Sequence, residues 1–211
     1  MMSMPPFRRP AAGVERLAVL GYSSRDGSTI YSDQDNMKLE TDLKRINKLS
    51  MREEERNRAF SSYLEDGALS ARKLDSLVHA LNDEVTSQID CGTCANCCVE
   101  GYPILKEADV QRLALFLNLS QDDFRSTYLQ RDAEKKTDTF TLMPCPFLHD
   151  NRCEVYAARP EDCRSFPHLH KPDFLSRLNR VIDNCAMCPV VFNVYERLKQ
   201  NLWRGRHENR K

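Results

Sequence analysis

The sequence predicts a mainly α-helical protein with short β and irregular segments, in which the helices surround a cysteine-rich core. Three observations lead to this prediction. Apolar residues recur at helical spacing in several segments, prolines and capping residues stand where such segments begin, and cysteines fall on the connections between them. With 41% hydrophobic and 29% charged residues, the 211-residue chain has the composition of a globular protein.

The part of the chain before the cysteines divides into a tail and a helical segment. Residues 1–36 are rich in Pro, Gly, Ser and Asp without a sustained period, which predicts a poorly ordered tail. Residues 37–87 are predicted to be a helical N-terminal segment, strongly charged in its first half and broken at Gly67. Its second half is predicted to be a helix with one apolar face, formed by Leu74, Leu77, Val78, Leu81 and Val85.

Residues 88–204 are predicted to form a cysteine-cluster domain of helices and short connections. One amphipathic helix is predicted over "LKEADVQRLALFLNL", and another begins at Ser120, which forms a capping-box-like pair with Asp123. The charged "QRDAEKKTD" is predicted to be a loop, "TFTLM" a short strand and "HDNRC" a turn. Pro160 is predicted at the first position of a helix, and two further helices flank "CAMC", the second opening with Pro189.

The nine cysteines indicate metal binding. No apolar run reaches the roughly 20 residues that span a bilayer, and no continuous secretory h-region is present, so the chain is predicted to be cytoplasmic. In a reducing cytoplasm disulfides are rare, and clustered thiols more often hold metal. The candidate metal ligands are Cys91, Cys94, Cys97, Cys98, Cys145, Cys153, Cys163, Cys185 and Cys188.

The cysteine spacing is compatible with either zinc or iron. Cys91, Cys94 and Cys97 repeat a two-residue step that turns sulfurs to one side, and such a run with a remote fourth cysteine is typical of a [4Fe–4S] cluster. Zinc sites tend to use two separated CxxC pairs, which Cys91–Cys94 and Cys185–Cys188 also supply. The predicted cofactor is therefore zinc or iron, with a [4Fe–4S] cluster among the alternatives.

The adjacent pair Cys97 and Cys98 favours two closely spaced sites, because neighbouring side chains diverge on a strand or a helix. The alternative is that one of the two binds metal and the other is a reactive or supporting thiol. Five arginines near the cysteine segments are candidates to offset the thiolate charge, with solvated surface groups as the simpler alternative: Arg152, Arg159, Arg164, Arg177 and Arg180. Three histidines are candidate substitute ligands or else bystanders: His149, His168 and His170.

The segment "CGTCANCC", followed by "CPFLHDNRCEVYAARPEDCRSFP", resembles the CxxCxxCC family of zinc- or iron-chelating domains over about residues 88–190. The resemblance implies that the matching cysteines are the metal ligands and that Cys185 or Cys188 completes a set of eight. Some relatives in this family are associated with flagellin lysine N-methylation. The resemblance therefore adds a second function, that of an S-adenosylmethionine-using enzyme.

The sequence leaves three alternative functions for this protein. The first is a metal-binding protein, the second a cluster-dependent protein-lysine N-methylase, and the third a structural zinc scaffold whose surface binds another protein. The 31 basic residues balance the 31 acidic residues, which argues against a protein built mainly to coat nucleic acid or a membrane. The sequence shows no serine–histidine–carboxylate set and no phosphate loop, so no catalytic residue is predicted.

Overall fold

Helices dominate the computed structural model, which describes residues 38–134 and 136–203. The predicted tail at residues 1–36 lies outside the described residues. The Asp42 carboxylate caps the first helix by accepting hydrogen bonds from the backbone N–H groups of Lys44 (2.9 Å) and Arg45 (3.1 Å). The helices before the cysteine cluster are α1 (Leu43–Arg52), α2 (Glu54–Glu65) and α3 (Ala71–Thr86).

The larger apolar core joins α3 to the last two helices, α9 (Leu178–Cys185) and α10 (Pro189–Trp203). The predicted apolar face of α3 is confirmed. Of the five residues that form this face, Leu77 is half-buried and the other four are buried. Phe60 of α2 packs against the rings of Tyr195 and Trp203, with centroids 5.5 Å away in each case. Helices from the two ends of the described chain thus share one core, and the cysteine segments connect them.

Residues from the middle of the sequence form a second apolar cluster. It contains α6 (Glu107–Leu117) and α7 (Gln121–Tyr128). Ser120 caps α7 by accepting the N–H of Asp123 at 3.0 Å, as predicted. The rings of Phe124 and Phe147 stack with centroids 6.5 Å apart. Through this contact the loop after Cys145 packs on the second cluster.

The predicted loop at "QRDAEKKTD" is wrong, because an antiparallel hairpin occupies this region. Its strands are β1 (Leu129–Asp132) and β2 (Thr137–Phe140). Leu129 and Phe140 pair at its base and pack on the second cluster, while Arg131 and Asp138 form a cross-strand ion pair of 3.2 Å. The strand predicted over "TFTLM" therefore ends early, at Phe140.

The turn predicted at "HDNRC" is confirmed. Asp150 and Asn151 have φ of 47° and 58° and join β3 (Leu148–His149) to β4 (Arg152–Cys153), as a two-residue hairpin turn requires. Pro160 is not the first helical residue as predicted. Its ψ of 152° is extended, so it precedes α8 (Glu161–Ser165).

The prediction of a mainly helical fold with short strands is confirmed. Short 3-10 turns occur at Tyr156–Ala158 and Leu175–Arg177. None of the described helices combines the length and the apolar character needed to cross a bilayer.

Candidate metal centre

The segment "CGTCANCC" folds as two short helical turns, α4 (Cys91–Cys94) and α5 (Asn96–Glu100). Asp90 caps the first turn by accepting the N–H of Gly92 at 2.9 Å. Between the turns Ala95 is left-handed, with φ of 50°, and its carbonyl accepts the N–H of Cys98 at 2.9 Å. This reversal lets a short stretch of chain present thiols in more than one direction.

Two hydrogen bonds fix this segment between distant parts of the chain. The Asn96 side-chain N–H donates to the carbonyl of Met187 at 2.8 Å, which brings the "CAMC" turn alongside. On the other side, the backbone N–H of Cys145 donates to the carbonyl of Cys98 at 2.8 Å. Two parts of the chain that are remote in sequence and carry cysteines therefore contact the segment, one at Asn96 and the other at Cys98.

All nine cysteines are free thiols, and a first group interacts around the "CAMC" turn. The pKa of Cys188 is raised to about 12, chiefly by burial and also by repulsion from Cys91 and Cys94. The pKa of Cys91 is raised by burial and then by Cys94. Cys188 also contributes to the raised pKa of Cys97, so Cys188 is within electrostatic range of the other three thiols.

A second group consists of Cys98, Cys145, Cys153 and Cys163. The pKa of Cys163 is raised to about 12, chiefly by burial and also by repulsion from each of the other three thiols. The pKa of Cys145 rises to about 11, by burial and by repulsion from Cys98 and Cys153. Cys98 also raises the pKa of Cys153, after burial. Every pair within this group therefore interacts electrostatically.

Backbone N–H groups donate to three of these sulfurs and oppose the effect of burial on their pKa. Such bonds stabilise a thiolate, the form of cysteine that binds metal. The donors stand two residues after Cys145 and Cys153, and two and three residues after Cys188, at Phe147, Val155, Val190 and Val191.

The Cys97–Cys98 pair lies where the two groups meet. Their thiols are hydrogen-bonded to each other, which together with burial raises the pKa of Cys97. The pKa of Cys98 is lowered to about 7, chiefly by the same hydrogen bond and also by Arg159, while burial opposes both. Cys163 acts on Cys97 as well as on the second group, so the two groups are adjacent.

Arg159 serves both groups. Its positive charge lowers the pKa of Cys91 in the first group and of Cys98 and Cys153 in the second, against the opposing effect of burial at each thiol. The guanidinium lies 3.9 Å from the centroid of the Tyr156 ring. One cation therefore offsets thiolate charge on both sides of the centre.

The other predicted arginines have different roles. Arg164 donates to the carbonyls of Ala157 (2.6 Å) and Arg159 (3.0 Å), which holds the chain before α8. Arg152 is exposed on β4. Arg177 and Arg180 act electrostatically on His168 instead of on the thiols described above.

An ion pair that supports this region was not found from the sequence. Asp109 is only 2% exposed and accepts hydrogen bonds from the N–H groups of Lys106 (2.9 Å) and Glu161 (3.0 Å) and from the Arg112 guanidinium (2.5 Å). Arg112 also donates to the carbonyl of Arg159 at 3.0 Å. The pair thus connects α6 to the chain between Arg159 and α8. An acidic residue at the third helical position was the available signal.

The histidine candidates lie apart from the two groups, whereas Cys185 is within electrostatic range of Cys188 in the first group. Cys185 is buried in the larger core, and its pKa is raised by burial and then by Glu196. His149 is exposed beside Asp150, at 3.4 Å, and His170 is exposed. His168 contacts Ser165 Oγ at 2.9 Å and Asp162 at 3.3 Å.

The donor chemistry fits zinc and iron, since free thiols, N–H donors to sulfur and a neighbouring arginine all stabilise metal-bound thiolate. Within residues 38–134 and 136–203, no three Cys, His, Asp or Glu side chains are positioned to hold a metal ion.

Comparison with known proteins identifies the domain. Residues 90–189 match the CxxCxxCC family model, described as a "Putative zinc- or iron-chelating domain", and this match contains all nine cysteines. No solved structure matches the chain. The resemblance to this family is confirmed, while the family description speaks of chelation and not of methylation. Over residues 90–189, the chain therefore matches the zinc- or iron-chelating domain of the CxxCxxCC family, which supports metal binding.

Proposed function

We propose that this domain binds metal at two neighbouring centres, each held by four cysteine thiolates. The observation that carries the proposal is the division of the electrostatically interacting thiols into two sets at the Cys97–Cys98 pair. The proposal gives no ligand role to the ninth cysteine, Cys185, because Cys188 is the one thiol among the causes that raise its pKa, whereas Cys188 itself interacts with Cys91, Cys94 and Cys97. The proposed first set is Cys91, Cys94, Cys97 and Cys188, and the proposed second set is Cys98, Cys145, Cys153 and Cys163.

The proposed metal is zinc or iron. Four thiolates suit a tetrahedral zinc or iron ion, or one [4Fe–4S] cluster. The first set combines the Cys91–Cys97 run with a remote Cys188, the arrangement that favours a cluster. In the second set the cysteines come singly from separate segments, and two of them, Cys145 and Cys153, accept a backbone N–H from two residues ahead, which suits a single tetrahedral ion.

Metal binding is expected to tighten the structure. The thiols of each set must move together, because no three described side chains are positioned to hold an ion. Part of the binding free energy then appears as folding free energy, as in other structural thiolate sites. A chelator should consequently lower the thermal stability of the protein. A cytoplasmic location belongs to the same proposal, since free thiols persist in a reducing compartment.

The test is metal and acid-labile sulfide analysis of the untagged full chain after anaerobic purification. Cys94→Ser should empty one centre and Cys153→Ser the other, each leaving the second centre filled. Cys185→Ala is the matched control and should retain the metal content of the unmodified protein. The proposal fails if the unmodified protein contains neither zinc nor iron. It also fails if Cys185→Ala loses as much metal as Cys94→Ser.

A further inference from the structure

A small cavity lies beside the proposed centres, between α8 and α9. Its volume is about 60 Å³, and its polar lining comes from Asp162, His168, Lys171, Arg177, Arg180 and Asn184. A cavity of this size has room for a few water molecules or for one small oxyanion. None of the proposed metal ligands is among the residues that line it.

Arg177 forms part of the cavity wall, and one of its N–H groups has no hydrogen-bond acceptor among the described residues. Its guanidinium donates to the carbonyls of His168 (2.7 Å), Lys171 (2.5 Å) and Pro172 (3.1 Å), and so holds the loop that forms one wall. The Nε atom of Arg177 is shielded from solvent and has no hydrogen-bond partner among the described residues. A buried N–H group without an acceptor is unfavourable, so an acceptor supplied by a ligand would stabilise it.

The charge around the cavity is mainly positive. In the described part of the chain, neither Lys171 nor Arg180 forms an ion pair, although both line the cavity. The carboxylate of Asp162 also lines it but is already engaged, by the N–H of Ile104 at 3.1 Å and by His168 at 3.3 Å. Three fixed cations therefore face one carboxylate that has its own partners.

The pKa of His168 reports the same positive potential. Burial lowers this pKa, and the charges of Lys171, Arg177 and Arg180 lower it further, while Asp162 opposes them. Asp75 and Asp173 raise the pKa of Arg177, but burial outweighs them and leaves it lowered. Cationic groups thus converge on the cavity with incomplete compensation.

We propose that this cavity binds a tetrahedral oxyanion, either inorganic phosphate or the terminal phosphate of a phosphomonoester. The Arg177 Nε–H would donate to one oxygen, and Lys171 and Arg180 would supply charge-assisted hydrogen bonds to the others. Asn184 offers a neutral side-chain donor at the same cavity. Anion binding here is independent of the metal assignment, because it uses other residues.

The test is a titration of the full chain as purified with phosphate, in a phosphate-free buffer whose ionic strength is held constant with sodium chloride. Binding is followed by calorimetry and by the ¹⁵N NMR signal of the Arg177 Nε–H group. We expect saturable binding with a shift of that signal. A parallel titration with glycerol phosphate distinguishes the two sources, since tighter binding of the ester indicates a phosphomonoester ligand.

Two double variants make the test specific. Lys171→Gln/Arg180→Gln removes two cavity cations and should weaken phosphate binding by about tenfold or more. The control, Lys48→Gln/Arg58→Gln, makes the same charge change at exposed residues of α1 and α2 and should leave the affinity unchanged. Metal content is measured on both variants, so that a failure of the metal proposal is seen separately. Absence of saturable binding by the unmodified chain, or equal weakening in the two double variants, would overturn the proposal.

Discussion

Replacement of Asp109 by Asn is expected to destabilise the domain by about 3 kcal/mol. The carboxylate is buried and accepts hydrogen bonds from the N–H groups of Lys106 and Glu161 and from the Arg112 guanidinium. An asparagine side chain offers a single acceptor oxygen, and its NH₂ group would face N–H donors. The variant therefore loses both the charge and part of the acceptor capacity at this position.

The magnitude follows from the contacts. Two charge-assisted hydrogen bonds are weakened or lost, at about 1.5 kcal/mol each. The Arg112 side chain is 36% exposed and keeps its bonds to the carbonyls of Ala158 (3.2 Å) and Arg159 (3.0 Å). Because water and these carbonyls still solvate the guanidinium, the expected loss stays at the lower end of the roughly 3–5 kcal/mol found when a buried ion pair is broken.

Urea unfolding at pH 7, with the metal content of each sample measured and matched, is the assay. For a slope of about 2 kcal/mol per molar urea, the midpoint should fall by about 1.5 M. Asp122→Asn is the matched control, because Asp122 is an exposed acid in the first turn of α7. Its loss should cost about 0.5 kcal/mol through the helix dipole alone.

The effect of Asp109 should depend on pH. Burial by itself would raise the pKa of this carboxyl, but the N–H groups of Lys106 and Glu161 and the Arg112 guanidinium outweigh burial and lower it. The stabilisation is therefore fully present above the unfolded pKa of about 3.9 and is lost as the pH falls through the lower folded pKa. The difference in unfolding free energy between protein and variant should shrink in acid. Equal midpoints at pH 7, or a difference that persists undiminished in acid, would refute this reasoning.

Three further predictions concern single residues. Arg159→Gln should weaken metal binding by about tenfold or more, measured by competition with a chromophoric chelator, because this guanidinium stabilises thiolates of both groups; unchanged affinity would contradict this role. Ala95→Val should lower stability in a thermal melt by about 1–3 kcal/mol, because a β-branched residue is strained at φ of 50°, whereas Ala95→Gly should not. Tyr195→Phe should cost about 1 kcal/mol in urea unfolding, because the buried hydroxyl donates to the Asn57 carbonyl at 3.0 Å; a loss no larger than in an exposed Tyr102→Phe control would argue against it.

Local patterns in the sequence were enough to predict several elements of the fold. The apolar face of α3 follows from a helical period, and the Ser120 cap of α7 depends on residues three positions apart. The turn between β3 and β4 depends on Asp150 and Asn151, which tolerate positive φ. The β1–β2 hairpin was missed because its stability comes from contacts of Leu129 and Phe140 with α6 and α7, not from local β propensity.

The sequence by itself determined the chemistry of this protein: the abundance and spacing of its thiols, the helical segments between them, and the family to which residues 90–189 belong. Ligand type and short-range spacing are local properties, so no fold is needed to see them. Three relations are visible only in the tertiary structure. Cys188, and not Cys185, interacts with Cys91, and the backbone of Cys98 is hydrogen-bonded to that of Cys145. The Asp109 carboxylate accepts the N–H of Glu161 at the start of α8. These relations depend on the packing of α3 against α10 and on loops that pack on two separate apolar clusters. Such contacts join residues that are far apart in the chain, so no local sequence pattern predicts them.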